Sequence, residues 1–155
     1  DISKFSKSST NYDIAELGHI NQKLLHILTF SDVKERLDEI GLSHIDENFF
    51  NQLKSNISFL SEIGDWWKIC KDTFRYNHAD TDKEFLQEAA TLLPENTAEE
   101  LCWQEWLGKI KEKTDRKGKD LFRPIRLALS GQEHGPELKT LVNLIDREEI
   151  LKRLG

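Results

Sequence analysis

Apolar residues recur every three or four positions along most of the chain, the spacing that gathers them on one side of an α-helix. Ile14, Leu17, Asn21, Leu24, Leu25 and Leu28 make the first stripe, with Asn21 its one polar member, and Asp13-Ile14-Ala15-Glu16 has the capping-box form that starts a helix at Asp13. Ser31 is placed to cap a second helix, carried by Val33, Leu37 and Ile40 and stopped by Gly41. Asp46 opens a third, in which Phe49, Phe50, Leu53, Ile57, Leu60 and Ile63 face inward before Gly64. Asp65 starts a fourth through Trp66, Trp67, Cys70 and Phe74. Capping boxes at Thr81 and Thr97 open a fifth and a sixth, the fifth ended by Pro94. Residues 119–129 read as an apolar helix with Pro124 inside it, which kinks it or marks its first turn. Gly135-Pro136 restarts a helix with proline at its first position, and Asp146 caps the last one.

No stretch alternates with the period of two that a half-buried strand requires. The fold class is therefore all-α, a compact multi-helix bundle or cage of about eight short helices. Polar breaks at residues 77–81 and at Asn96 suggest two lobes. The expected organisation is a linker over residues 1–12, a first helical lobe over 13–95 and a second over 96–155.

Charge changes this picture in one place. Residues 109–126 carry Lys109, Lys111, Lys113, Arg116, Lys117, Lys119, Arg123 and Arg126 against Glu112, Asp115 and Asp120, a local charge of +5 in a chain whose net charge is −6. Such a segregated patch suits a polyanion, and a solvated helix face with flexible lysines is the plainer alternative. The paired tryptophans at 66 and 67 carry a similar choice between core packing and base stacking. Only Lys68 and Lys71 interleave with them, which favours the core.

Several classes drop out. No apolar run approaches the roughly 20 residues that span a bilayer, so no membrane partner is expected. The N-terminus has no signal-peptide core, and the chain contains no Met, which suits a fragment of a longer protein. Cys70 and Cys102 stand among Trp67, Ile69, Leu101 and Trp103 and read as buried free thiols. The five histidines lack zinc-site spacing, so no metal is expected. No nucleophile, base and oxyanion site can be assembled, and the loop Ser130-Gly131-Gln132-Glu133-His134-Gly135 lacks the lysine and the strand–loop–helix context of a phosphate loop.

The basic patch runs into an ordered motif: Lys117-Gly118, Leu121-Phe122, Pro124-Ile125-Arg126-Leu127-Ala128-Leu129-Ser130-Gly131 and Gly135-Pro136. This resembles the signature near the C-terminus of bacterial glutamyl-tRNA synthetases, class I enzymes. Residues 1–13 and 19–26 resemble the segment that follows the catalytic half in that family, so the resemblance covers essentially the whole chain. Lys4-Phe5-Ser6-Lys7-Ser8 resembles the ATP-binding Lys-Met-Ser-Lys-Ser loop of class I synthetases. That loop works against a nucleotide-binding α/β domain, which does not precede residue 4, so the likeness is set aside.

The resemblance implies that both lobes serve anticodon binding. The parent enzyme would be a cytoplasmic, monomeric glutamate-tRNA ligase that uses ATP and Mg2+ in its catalytic half. This chain would carry no catalytic activity and no cofactor of its own. Its partners would be the anticodon stem-loop of tRNA(Glu) and the catalytic half of the same polypeptide. Carried over by position, Arg123, Arg126, Ser130 and Gly131 match the family motif, with Arg126 reading or supporting a base through its guanidinium fork and Ser130 and Gly131 bonding base edges. Lys113, Arg116, Lys117 and Lys119 would contact phosphates. Many members of the family carry an arginine on the helix equivalent to 46–63 that helps read the third anticodon base, and Asn56 stands there in this chain. A helical protein-interaction module, its basic patch meeting an acidic partner, is the competing reading.

Overall fold

The computed structural model describes the backbone of residues 7–155 and the side chains from Ile14 onward. Nine α-helices and no strand occur among the described residues: α1 (Lys7–Ile27), α2 (Phe30–Glu39), α3 (Glu47–Leu53), α4 (Glu62–Lys71), α5 (Asp80–Thr91), α6 (Cys102–Lys113), α7 (Lys119–Ser130), α8 (Leu138–Leu144) and α9 (Arg147–Leu154). The all-α class is as expected. Most of the Lys4-Phe5-Ser6-Lys7-Ser8 stretch lies outside the described residues. The chain divides into two compact units, Asp1–Trp66 and Trp67–Gly155, so the boundary falls inside α4. The expected divide at 95/96 lies within the second unit.

In the first unit the helix starts follow local hydrogen bonding. Thr29, not Ser31, caps α2: its hydroxyl accepts from the Asp32 N–H, and the Asp32 carboxylate accepts from the Thr29 N–H at 2.8 Å. The Thr29 N–H and hydroxyl, both donating to the Asp32 carboxylate, hold that carboxyl below its ordinary pKa. Asp46 caps α3 by accepting from the Phe49 N–H at 2.8 Å, as its sequence position suggests. The core is built from Leu25, Val33, Leu37, Ile45, Phe49, Phe50, Leu53, Ile57 and Ile63. The long third helix expected from Asp46 to Gly64 is broken after Leu53, and Gly64 sits inside α4. A Cβ on Gly64 would lie 2.8 Å from the Leu42 side chain, so the glycine marks a close approach rather than a helix end. α1 extends six residues upstream of the expected start at Asp13.

The second unit is arranged around α7, which packs against α5, α8 and α9. Leu121, Pro124, Ile125, Ala128 and Leu129 bury its inner face. Pro124 has no N–H to offer the carbonyl of Asp120 one turn earlier. Arg116 supplies the missing donor, its guanidinium bonding the Asp120 carbonyl at 3.0 Å. The other end of α7 is closed as completely. Gly131 takes a left-handed conformation (φ 67°), its N–H bonding the Leu127 carbonyl. The Ser130 hydroxyl donates to the Arg126 carbonyl at 2.8 Å, and Arg153 donates to the Leu129 carbonyl at 2.6 Å. Arg153 also reaches the Asp72 carbonyl and the Glu149 carboxylate and lies over the Phe74 ring. Arg147 bonds the carbonyls of Leu93 and Pro94, just past the C-terminal end of α5.

Three helix starts in this unit differ from the sequence expectation. α5 has Ala79 at its N-cap without a side-chain cap, and Arg116 bonds the Thr81 carbonyl and the Asp82 carboxylate in its first turn. α6 begins at Cys102 rather than at Thr97, where the Asn96 side chain accepts from the Ala98 N–H and forms a turn. α8 begins two residues after Pro136, whose carbonyl is held by Arg126. Both cysteines are buried free thiols, and burial pushes Cys70 up to about 11.

Candidate nucleic-acid interface

With Leu121, Pro124, Ile125 and Ala128 inward, helical geometry puts Lys119, Phe122, Arg123 and Arg126 on the outer face of α7. All four are solvent-accessible to some degree, Lys119 and Arg123 more than Phe122 and Arg126. Beyond Arg126 the face closes, since Leu129 and Ser130 are buried. The turn at Gly131 then brings the following loop back along this face. Arg123 and Glu133 form a bidentate pair, with Nε and Nη2 donating to the carboxylate at 2.6 to 3.2 Å. Arg126 Nη1 donates to the Pro136 carbonyl at 2.9 Å.

Three open depressions border this face. One of about 580 Å³ is lined by Arg116, Lys117, Lys119 and Arg123, with Asp82, Asp115 and Asp120 on its walls. A second, of about 770 Å³, lies between Lys119, Phe122, Arg123 and Arg126 on the helix and Glu133 and His134 on the loop. A third, of about 330 Å³, is bounded by Trp103, Phe122, Arg126, Glu137, Leu138 and Lys139. Phe122 and Arg126 border both of the last two.

Electrostatics sorts the basic residues. The hydrogen bond from Arg123 and its charge hold the Glu133 carboxyl below its ordinary pKa, and the same bond raises Arg123. Partial burial lowers Arg126 from the ordinary guanidinium value. Lys109 is paired with Glu105 at 2.7 Å. Among the described residues Lys111, Lys113, Lys117 and Lys119 form no ion pair within the 4.0 Å that defines one.

The expected site residues therefore divide. Lys117, Lys119, Arg123 and Arg126 border connected open surface. Lys113 is exposed beside α5, near Glu84 and Glu88. Arg116 is occupied with Asp82, the Thr81 and Asp120 carbonyls and the Phe85 ring, 4.5 Å away, so its expected role as a free phosphate ligand gives way to a structural one. Ser130 is 4% exposed, and its hydroxyl is bonded inside the chain, away from the open surface. Gly131 faces Phe74, and its N–H is taken by Leu127. Asn56 belongs to the first unit, exposed in the turn after α3 rather than on a helix. Trp66 and Trp67 are both partly buried, and Lys71 stands 5.5 Å from the centre of the Trp67 ring.

Sequence reasoning missed Phe122, Trp103, Glu133, His134 and Lys139 as parts of this surface. Phe122 was detectable from helix phase alone, three residues after Lys119 and four before Arg126, on the side opposite Leu121 and Ile125.

A short helix with an outward basic and aromatic face, closed by a returning loop, defines a helical domain with a basic surface. The chain belongs to the anticodon-binding domain family, whose sequence model matches residues 19–155. It is 47% identical over 154 residues to glutamate–tRNA ligase 2 of Rickettsia canadensis and 48% identical over 154 residues to glutamate–tRNA ligase 1 of Rickettsia prowazekii. Each match covers 99% of this chain but 35% and 34% of the relative, so the chain spans about a third of the length of the curated relatives it matches.

Proposed function

We propose that this chain grips the anticodon stem-loop of tRNA(Glu) and works as the anticodon-binding part of a cytoplasmic, monomeric glutamate–tRNA ligase. The observation that carries the reading is the family match over residues 19–155 combined with the outward face of α7. In this reading Arg126, held by the Pro136 carbonyl, aims its remaining donors at the edge of an unpaired base. Lys117 and Lys119 line the flank of the groove and meet backbone phosphates, joined by Lys113, while Arg123 joins them when the loop yields Glu133. Asn56 is a further candidate for a base edge. ATP and Mg2+ belong to the catalytic half. Among the described residues no group of His, Cys, Asp or Glu is arranged to hold a metal ion, and no step of the proposal passes through either.

The test is fluorescence anisotropy with a tRNA(Glu) anticodon stem-loop and the same hairpin with a scrambled anticodon, at two salt concentrations. The expected result is preference for the native anticodon. Arg126→Ala removes that preference, whereas Lys117→Ala weakens both hairpins equally and flattens the salt dependence by about one unit of slope. Equal binding of both hairpins by the unaltered protein, or identical behaviour of the two variants, overturns this assignment, and binding to neither hairpin favours a protein-interaction module.

A further inference from the structure

We propose that Trp103 and Phe122 form a stacking platform for one unpaired base of the bound loop, a role that rests on the anticodon-binding reading. Three observations carry it. Phe122 is an apolar ring on a face otherwise made of Lys119, Arg123 and Arg126, where a solvated side chain is the ordinary occupant. Trp103 is partly exposed, although Trp106, one turn further along the same helix, is wholly buried with its indole N–H bonded to the Ala89 carbonyl at 2.8 Å. The two tryptophans meet edge to face, centroids 5.8 Å apart at 77°, so Trp103 is braced from inside and open on its other side.

The Trp103 and Phe122 rings are 6.4 Å apart and tilted by 41°, and they wall the depression of about 330 Å³ that Arg126 also borders. That volume is at the lower end of what small-molecule sites enclose. A base lying on either ring has the Arg126 guanidinium near its edge and Lys139 at the rim. The site thus combines a π-face, which tolerates any base, with a donor fork, which does not. Trp106, Leu121 and Ile125 are wholly buried on the same two helices.

The experiment measures hairpin affinity for Phe122→Leu, Phe122→Gln and Trp103→Leu, with folding checked by circular dichroism. Phe122→Gln places a polar side chain on a polar face and keeps the test valid if an apolar variant of Trp103 fails to fold. A second series of hairpins carries an abasic site at each loop position in turn. The platform requires a loss of about tenfold or more for the Leu and Gln variants, as deletion of one stacking ring gives. The salt slope stays unchanged, and Phe122→Tyr restores binding. One abasic position must weaken the unaltered protein yet cost the Phe122 variants nothing further. If the unaltered protein prefers the native anticodon but the ring variants bind as it does, the platform is wrong and the anticodon reading stands. If no hairpin is preferred by the unaltered protein, both fall together.

Discussion

Arg123 is the most exposed arginine of the candidate surface, yet it is paired. Its bidentate bond with Glu133 competes with any phosphate that approaches. Glu133→Gln is therefore expected to raise affinity for any RNA hairpin a few-fold, to steepen the salt dependence by up to about one unit of slope and to narrow the gap between native and scrambled anticodons. Anisotropy titrations at several salt concentrations read all three. Arg116 is the opposite case. It repairs the hydrogen bond lost at Pro124, and Arg116→Ala is expected to destabilise the second unit by about 1 kcal/mol, since it removes the donor to the partly solvated Asp82 carboxylate and Asp120 carbonyl. Urea unfolding measures the loss, and the RNA salt slope of the folded fraction should not change. Sequence alone cannot separate these arginines, because both stand in the same basic run. What separates them is the residue each one faces, and Asp82 is 34 positions away from Arg116.

At the scale of elements, helix existence was legible, and helix ends only in part, as at Asp46 and Asp146. The stripe of α1 has the right period, but Ile14, Leu17 and Leu24 are 47 to 58% exposed and Leu25 alone of the expected inward residues is counted in the core. Periodicity shows which side of a helix is apolar; whether anything covers that side depends on the rest of the fold. Caps misled as well. Thr81 and Glu84 have the spacing of a capping box, but the helix begins ahead of them at Asp80. Ser130 shows the same limit at a C-terminus. The motif marks it, and helix phase turns it inward as part of the closure at Gly131. That closure is sensitive. Gly131→Ala introduces a Cβ at a positive φ, 2.9 Å from the Phe74 ring, and is expected to cost about 2 kcal/mol or more, read as a lowered Tm. Because the same turn leads into the loop whose Pro136 carbonyl holds Arg126, preference for the native anticodon should fall before the unit unfolds.

For the whole molecule, the all-α class followed from the absence of any period-two stretch. The division at Trp66/Trp67 did not, since it falls within a continuous helix and no composition break marks it. The acidic balance of the chain sets its response to pH. Burial acts to raise the Glu149 pKa, but hydrogen bonds from Arg153 and Arg75 and the arginine charges outweigh it, and the net shift is downward. A carboxylate lowered in the folded state contributes stability that is complete above its unfolded value of about 4.3 and disappears as pH falls through the folded value. Glu149→Gln is accordingly expected to lower Tm at neutral pH and to flatten the acid limb below about pH 4.5, measured by thermal melts across a pH series.

Arg153 has a consequence in time as well as in space. Its guanidinium holds carbonyls at Asp72 and Leu129, 81 and 24 residues away along the chain. Closing so long a loop is entropically unfavourable, so this clasp is expected to form late as the second unit assembles. A late clasp governs how slowly the unit comes apart rather than how fast it is made. In stopped-flow denaturant jumps, Arg153→Met should accelerate unfolding and leave the refolding arm nearly where it was. A protein built this way is expected to come apart more slowly than its equilibrium stability alone would indicate, because the bond from Arg153 to Asp72, 81 residues apart, has to break on the way out.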